Sequence, residues 1–354
     1  MHVCFIALEY FNWGKYGGIG KATKDITNGL TKQRLKVSVV VPLGPGQRSY
    51  ECVDGVDVYG FPLMEYPFIG GLLKGIDADI YHSQDPTLGT WLAKKTCMSR
   101  VHLLTCQNPK THDDWDKVNQ YYPNRRKIYN TLVEPQVKRC IKELNQVYCQ
   151  ARYTIKKART LFDLDYDPGF LPNPVTVPDK LPEKSGDPTV LFLGRLDGEK
   201  KPEEFMQLAE RFPDVKFIAA GASHDPEYDR MLRRKYEDVP NLRLTGFIDG
   251  LKKSRILDDS WILVNTSVSE CLPVSFLEAA AHGCAILSPH DPDGFASRFG
   301  VHSAHAELEM GLRWLLRDEN WRERGKEGHR YVKEHHEEKK VIEQHISEYR
   351  KMSA

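Results

Sequence analysis

Short, nearly continuous runs of Val, Ile and Leu recur along this chain, separated by longer amphipathic stretches, and that alternation constrains the fold most. The runs in the first half are Val3–Leu8, Lys36–Pro42, Val56–Pro62, Ala78–His82, Val101–Cys106 and Gln146–Cys149. Helical patterns fall between them at Lys21–Thr31, Leu88–Lys95 and Asn130–Leu144. Strands that are apolar on both faces and alternate with helices predict a parallel sheet covered on both sides. The stretch Asp163–Lys184 carries five prolines and reads as a connector. The pattern then restarts with strands at Thr189–Leu193, Lys216–Ala220, Leu242–Thr245, Trp261–Asn265 and Ala285–Leu287. Helices are expected at Pro202–Arg211, Pro226–Tyr236, Lys253–Leu257 and Pro273–His282, then at Trp321–Tyr331 and Glu337–Met352 in a charged tail. The chain is therefore expected to be α/β, with two Rossmann-like domains facing a cleft. Such sheets place ligands at the carboxyl ends of their strands.

Three segments carry chemistry. In Asn265–Gly283, Glu270 and Glu278 are separated by seven residues, with Pro273 where a helix can begin and Gly283 where it can end. Glu270 then lies ahead of the helix and Glu278 on it. The amides of Val274 and Ser275 face an anion at the helix mouth. The segment also suits a capping box, Ser275 with Glu278 three residues on, in an ordinary amphipathic helix. Gly17-Gly18-Ile19-Gly20 follows the first strand and opens a helix, as a phosphate-approach loop does. It matches neither a P-loop nor a full dinucleotide fingerprint, and a plain tight turn is the other reading. Arg195 and Lys200 lie in the loop after Leu193, where two cations can clamp a diphosphate or simply be solvated.

Other residues point less sharply. Asp-x-Asp pairs occur at Asp77/Asp79, Asp114/Asp116, Asp163/Asp165, Asp165/Asp167 and Asp291/Asp293, too many for one to signal a metal. The histidines lack metal-ligand spacing, and only His82 and His112 suit a polar site. The eight cysteines form no Cys-x-x-Cys pair and fit reduced, mostly buried thiols in a cytoplasmic protein; Cys271, beside Glu270, is most simply apolar filler. The net charge of +1 gives no general attraction to nucleic acid. No apolar run is long enough to span a membrane, and Met1 leads directly into strand-like sequence, so a secretory leader is not expected. Phe61, Phe68, Ile69, Leu72 and Leu73 suit either a lipid-facing patch or a buried helix edge.

Taken in order, several motifs resemble the GT-B glycosyltransferases, and among them the large retaining family known as family 4, or group 1. They are Gly17-Gly18-Ile19-Gly20, Asp79-Ile80-Tyr81-His82, Leu171-Pro172-Asn173-Pro174-Val175 and Gly194-Arg195-Leu196 with Lys200. Gly246-Phe247-Ile248, the Glu270/Glu278 segment and the tail Trp321–His336 complete the set. The resemblance implies an N-terminal acceptor domain over 1–176, joined by a crossing-back helix over 337–354, and a donor domain over 177–336. It implies that Arg195 and Lys200 hold the donor diphosphate, with Gly17 and Gly18 admitting it. Glu278 would take the ribose hydroxyls, and Glu270 with the following amides the transferred sugar. Ile248 would line the base pocket, with Lys253 close by. Where the family usually has a His after the strand matching Val101–Cys106, this chain has Gln107, which can hydrogen-bond a sugar but cannot carry charge.

The expected function is a retaining, metal-independent transfer from a nucleotide-diphosphate sugar to a glycan or glycolipid acceptor. No cofactor beyond that donor is expected. Acceptor residues are expected in the loops at 50–75 and 107–125. The expected setting is cytoplasmic, with peripheral contact to the inner face of a membrane. An epimerase on the same fold and a binding protein without turnover are the alternatives.

Overall fold

The computed structural model describes residues 1–11, 13, 17–44, 46–121 and 133–353. The chain divides into two compact units, one of residues 1–115, 122–174 and 338–354, the other of residues 116–121 and 175–337.

The first unit is built on β1 (His2–Ile6), α1 (Gly18–Lys32), β2 (Lys36–Pro42), β3 (Tyr50–Val53), β4 (Val56–Phe61), α2 (Gly70–Ile76) and β5 (Ile80–Gln84). It continues through α3 (Leu88–Thr96), β6 (Val101–Cys106), α4 (His112–Asn119, of which residues 116–119 count with the second unit), α5 (Glu134–Lys142), β7 (Gln146–Cys149), α6 (Thr154–Phe162) and β8 (Gly169–Phe170). The expected helix over Asn130–Leu144 and the loop over 107–125 lie partly outside the described residues. The strand order is β3-β4-β2-β1-β5-β6-β7-β8. Every pairing is parallel except β3 with β4. The wholly parallel expectation is thus corrected at one edge. Asp54 (φ 53°) and Gly55 (φ 82°) form a two-residue turn with positive φ at both positions, which folds a hairpin. The proline-rich stretch is not all connector, because Gly169–Phe170 within it extends the sheet beside β7.

The second unit repeats the scheme with β9 (Thr189–Leu193), α7 (Pro202–Arg211), β10 (Lys216–Ala220), α8 (Pro226–Lys235), β11 (Leu242–Gly246), α9 (Gly250–Asp259) and β12 (Ile262–Val264). It ends with α10 (Val274–Ala281), β13 (Ala285–Ser288), α11 (Phe295–Phe299), β14 (Gly300–His302), α12 (Leu308–Leu316) and α13 (Asn320–His335). Its strands run β11-β10-β9-β12-β13-β14, all parallel. The interiors of β9, β12 and β13 are buried on both faces, which is why they read as unbroken apolar runs.

The last helix, α14 (Glu338–Ser353), returns to the first unit and packs on α1. Ile342, Ile346 and Tyr349 join the core of Val3, Phe5, Ile26 and Leu30. His82 is fully buried there, its Nδ1 2.8 Å from the Tyr349 hydroxyl and its Nε2 2.8 Å from Thr105 Oγ1. It is a structural histidine, contrary to the expectation that it suits a polar site. Burial holds its pKa well below the usual value, so the ring is neutral. Among the described residues no helix is long and apolar enough to cross a membrane.

Candidate active site

In each sheet the chain reverses its direction of strand addition once, and the loops flanking that point open a crevice at the strand ends. In the second unit the reversal lies between β9 and β12. The loops after these strands hold Arg195, Lys200 and Glu270. Gly221 fixes the first loop: at φ 151° it brings its backbone so close to the Gly194 carbonyl that a Cβ would lie 1.7 Å from that oxygen. The two loops are then tied together. Thr266 Oγ1 donates to the carbonyls of Lys200 (2.7 Å) and Lys201 (2.9 Å), and the Val268 amide donates to the Glu199 carbonyl (2.9 Å).

Lys200 Nζ donates to Glu270 Oε1 at 2.7 Å. The same oxygen accepts from Ser267 Oγ (2.6 Å) and Asn265 Nδ2 (3.2 Å). Burial would raise the Glu270 pKa, but the Lys200 charge and these donors outweigh it and hold the carboxyl below its usual range. His290 Nε2 lies 2.7 Å from the Ser267 carbonyl and steadies this loop from β13. Arg195 is clasped by its own loop, donating to Asp197 Oδ2 at 2.5 Å and Glu199 Oε1 at 2.6 Å. Asp197 also accepts from the His224 amide (2.8 Å) and Ser223 Oγ (2.9 Å). Burial opposes its ionisation, yet that amide and the Arg195 charge depress its pKa.

Glu278 lies on α10 and accepts from Lys253 Nζ of α9 at 2.7 Å, with Asp249 Oδ1 at 3.4 Å from the same ammonium. Burial lowers the Lys253 pKa, but these two carboxylates raise it further, so the ammonium stays charged. Pro273 precedes α10, no side chain caps the helix, and Gly283 at φ 78° follows its end. The capping-box reading of Ser275 and Glu278 therefore does not hold; Glu278 is turned to Lys253 instead. Ile248 is buried between β11 and α9. Cys271 is buried beside Glu270. Each cation read from the sequence thus has a carboxylate partner, which fixes its direction and offsets its charge.

The first unit reverses between β1 and β5. Gly17 bounds α1 in extended conformation and its amide donates to Glu9 Oε2 at 2.8 Å; Gly18 opens the helix and is exposed. Gln107 follows β6 and is buried. Its side-chain amide forms a reciprocal pair with Asn173, donating at 3.1 Å and accepting at 2.9 Å, and also donates to Gln84 Oε1 at 2.8 Å. Both its donors are thereby engaged within the protein. His112 starts α4 and is exposed. Among the described residues no three His, Cys, Asp or Glu side chains are placed to hold a metal ion.

Asp85, at the end of β5, escaped the sequence reading, although an Asp-Pro step after a strand at a sheet reversal was there to be seen. It has φ 111°, rare for a residue with a Cβ. Its Oδ1 accepts from the amides of Gln107 (2.8 Å) and Asn108 (3.2 Å), yet burial pushes its carboxyl up to about 6. A folded-state pKa above the unfolded one means the native protein binds the extra proton, so this group's stability contribution is lost as pH rises through 6. Asp85→Asn keeps an acceptor and removes the ionisation. It is expected to stabilise the fold by on the order of 2–3 kcal/mol at neutral pH and little at pH below about 4. Denaturant melts at both pH values check this, and an equal or absent gain would overturn the assignment.

Residues 176–330 match the family model described as glycosyl transferases group 1. No curated protein matches the chain. Among solved structures, sucrose-phosphate synthase from Thermosynechococcus elongatus superposes with a TM-score of 0.76 at 15% identity, covering 99% of each chain. Anabaena HepE in complex with UDP-glucose gives 0.69 at 12% identity, covering 99% of this chain and 100% of its own. WaaG, a glycosyltransferase involved in lipopolysaccharide biosynthesis, gives 0.69 at 15% identity, covering 97% and 98%. At such identities the likeness to these structures is one of fold, and the family match carries the activity. The chain is thus a glycosyltransferase of GT-B fold whose residues 176–330 match the model described as glycosyl transferases group 1.

Proposed function

We propose that this chain transfers a sugar, with retention of configuration and without a metal, from a nucleotide-diphosphate sugar to a glycan or glycolipid acceptor. One observation carries the reading most: Lys200 and Glu270 meet at the sheet reversal of the second unit, directly ahead of the uncapped start of α10. In this reading Arg195 and Lys200 take the diphosphate, Glu278 the ribose hydroxyls, and Glu270 with the amides after it the transferred sugar. Ile248 lines the base pocket, and Lys253 orients Glu278. Gly17 and Gly18 let the loop backbone of the first unit approach the donor. Residues 177–336 act as the donor domain, and residues 1–176 with 337–354 as the acceptor domain of a cytoplasmic enzyme.

Negative charge grows on the departing diphosphate, and fixed cations with a helix N-terminus stabilise it at little reorganisation cost. These groups supply the positive charge that a divalent cation would otherwise bring. Gln107 is neutral and tied to Asn173, so it shapes the end of β6 and carries no charge in the reaction.

Incubating the protein with UDP-, GDP-, ADP- and TDP-sugars tests the reading. One donor is expected to raise the melting temperature, because a ligand that binds only the native state must stabilise it. The same donor is expected to release nucleoside diphosphate with chelator present and to give a product of unchanged anomeric configuration. An epimerised free sugar would favour the epimerase alternative. Stabilisation without turnover across glycan and glycolipid acceptors would leave a binding protein. Activity lost to chelator and restored by manganese or magnesium would overturn metal independence.

A further inference from the structure

Two glycines seat α13 against the second unit. A Cβ on Gly325 would lie 2.0 Å from the Gly283 carbonyl oxygen, and one on Gly328 would press on Ala280 (3.2 Å) and Phe299 (3.4 Å). Arg324, Glu327, Tyr331 and Glu334, spaced three or four residues apart on the helix, share one side of it. With Arg298 and Phe299 from the end of α11 they line a cavity of about 450 Å³. Small-molecule sites commonly measure about 300–1,000 Å³. The cavity is separate from the candidate active site. Phe299 directly precedes β14, at the amino end of that strand, whereas Arg195, Lys200 and Glu270 follow the carboxyl ends of β9 and β12 in the same parallel sheet.

The wall of the cavity orders its charge. The Phe299 and Tyr331 rings stand 5.1 Å apart, and the Arg298 guanidinium lies over both, 4.8 and 4.9 Å from their centroids. Stacking fixes the plane of that group and leaves its N–H edge to meet an anion. Arg324 is engaged otherwise, donating to the Arg298 carbonyl at 3.0 Å with Glu327 at 3.8 Å. Arg330 also lines the cavity. Among the described residues no carboxylate pairs with Arg298 or Arg330. Glu323, which senses the Arg330 charge, is bonded to Lys326 instead. In the candidate active site, by contrast, Arg195, Lys200 and Lys253 each have a carboxylate partner.

We propose that this cavity is a second ligand site, which takes a sugar bearing a single anionic group, a phosphate or a carboxylate. Arg298 and Arg330 hold the anion, as guanidinium groups without a counter-charge do best. Glu327 and Glu334 accept hydrogen bonds only, so they suit ring hydroxyls and repel further negative charge. That excludes a nucleoside diphosphate from this lining. The half-buried Tyr331 and the exposed His335, 4.6 Å apart, offer ring surface to the C–H face of a pyranose. The proposal goes beyond the transfer reading and does not rest on it, because its test measures binding alone.

Calorimetry of the full chain with glucose 6-phosphate, glucuronate, glucose and inorganic phosphate tests it, in about 0.05 M salt to limit screening. At least one of the two acidic sugars is expected to bind about tenfold or more tighter than glucose and inorganic phosphate, and the tighter of the two identifies the anion. The variant Arg298→Ala, Arg330→Ala is expected to lose about tenfold or more of that affinity. Its melting temperature is expected to hold, since both side chains are exposed. Arg298→Lys keeps the charge and loses the planar fork, so an intermediate loss is expected. Binding of neither acidic sugar would overturn the proposal. Unchanged affinity in the double variant would also overturn it, since the acidic sugar would then sit elsewhere on the protein. Inorganic phosphate binding as tightly as the acidic sugars would overturn it too, leaving an anion contact without a sugar site.

Discussion

Glu270→Ala is expected to reduce sugar transfer by at least about a hundredfold, or about 2.7 kcal/mol of barrier, as loss of one preorganised polar group at a reacting centre commonly does. Affinity for the bare nucleoside diphosphate is expected to stay within about twofold, because charge-assisted bonds worth about 1.5–3 kcal/mol each remain on Arg195 and Lys200. The physical ground is the setting of the carboxylate: one oxygen already gathers Lys200, Ser267 and Asn265. Its second oxygen is the one the reading turns to the sugar. Glu270→Gln is the companion variant. It keeps an acceptor for Ser267 and drops the charge that holds Lys200. The depressed pKa of Glu270 contributes stability that is present above the unfolded value and lost as pH falls through the folded one. At neutral pH the group is therefore ionised, and its titration does not shape the rate. Steady-state kinetics with calorimetry on the same preparations decides. An equal loss of nucleotide affinity and turnover would show that Glu270 holds the nucleotide.

Glu278→Ala is expected to act on binding and stability together. Loss of the ribose contact is expected to weaken nucleoside diphosphate and intact donor alike, by about tenfold or more. The same change leaves the largely buried Lys253 ammonium facing Asp249 alone at 3.4 Å. Breaking a buried pair from one side costs about 3–5 kcal/mol, whereas replacing both partners with apolar residues of similar size is often neutral. The double variant Lys253→Met, Glu278→Met is therefore expected to recover most of the stability and none of the affinity. Chemical denaturation measures the first and calorimetry the second. Recovery of nucleotide binding in the double variant would remove Glu278 from the ribose site.

Much of the fold was legible. Lys36–Pro42, Val101–Cys106, Gln146–Cys149, Thr189–Leu193 and Lys216–Ala220 are strands at those bounds, because apolar runs buried on both faces have one simple solution. The β3–β4 hairpin was also written in the chain, as Asp54-Gly55 between strand-forming residues, but a parallel expectation passed over it. Helices α2, α4 and α6 were not read. In α2 three glycines obscure the helical pattern, and only packing of Leu73 and Ile69 against α3 and β4 makes the element.

Within the candidate site, residue types were readable and pairings were not. Arg195, Lys200, Lys253, Glu270 and Glu278 stand out by type and by their places at strand ends and on helices. That Lys200 meets Glu270 and Lys253 meets Glu278 follows from sheet order, which brings together residues 70 and 25 positions apart in the chain. Gln107 shows the same limit, for its partners Gln84 and Asn173 lie on other segments and leave its amide no donor to offer. Local sequence determined the strands, the helix ends at Pro273 and Gly283 and the identity of the charged groups, since these depend on periodicity and backbone preference alone. Tertiary structure decided which charges neutralise one another, that His82 is core, that Asp85 is strained and reluctant to ionise, and that Phe61, Ile69 and Leu73 are buried rather than lipid-facing. Those outcomes depend on burial and on distances between residues far apart in the chain, which no local pattern encodes.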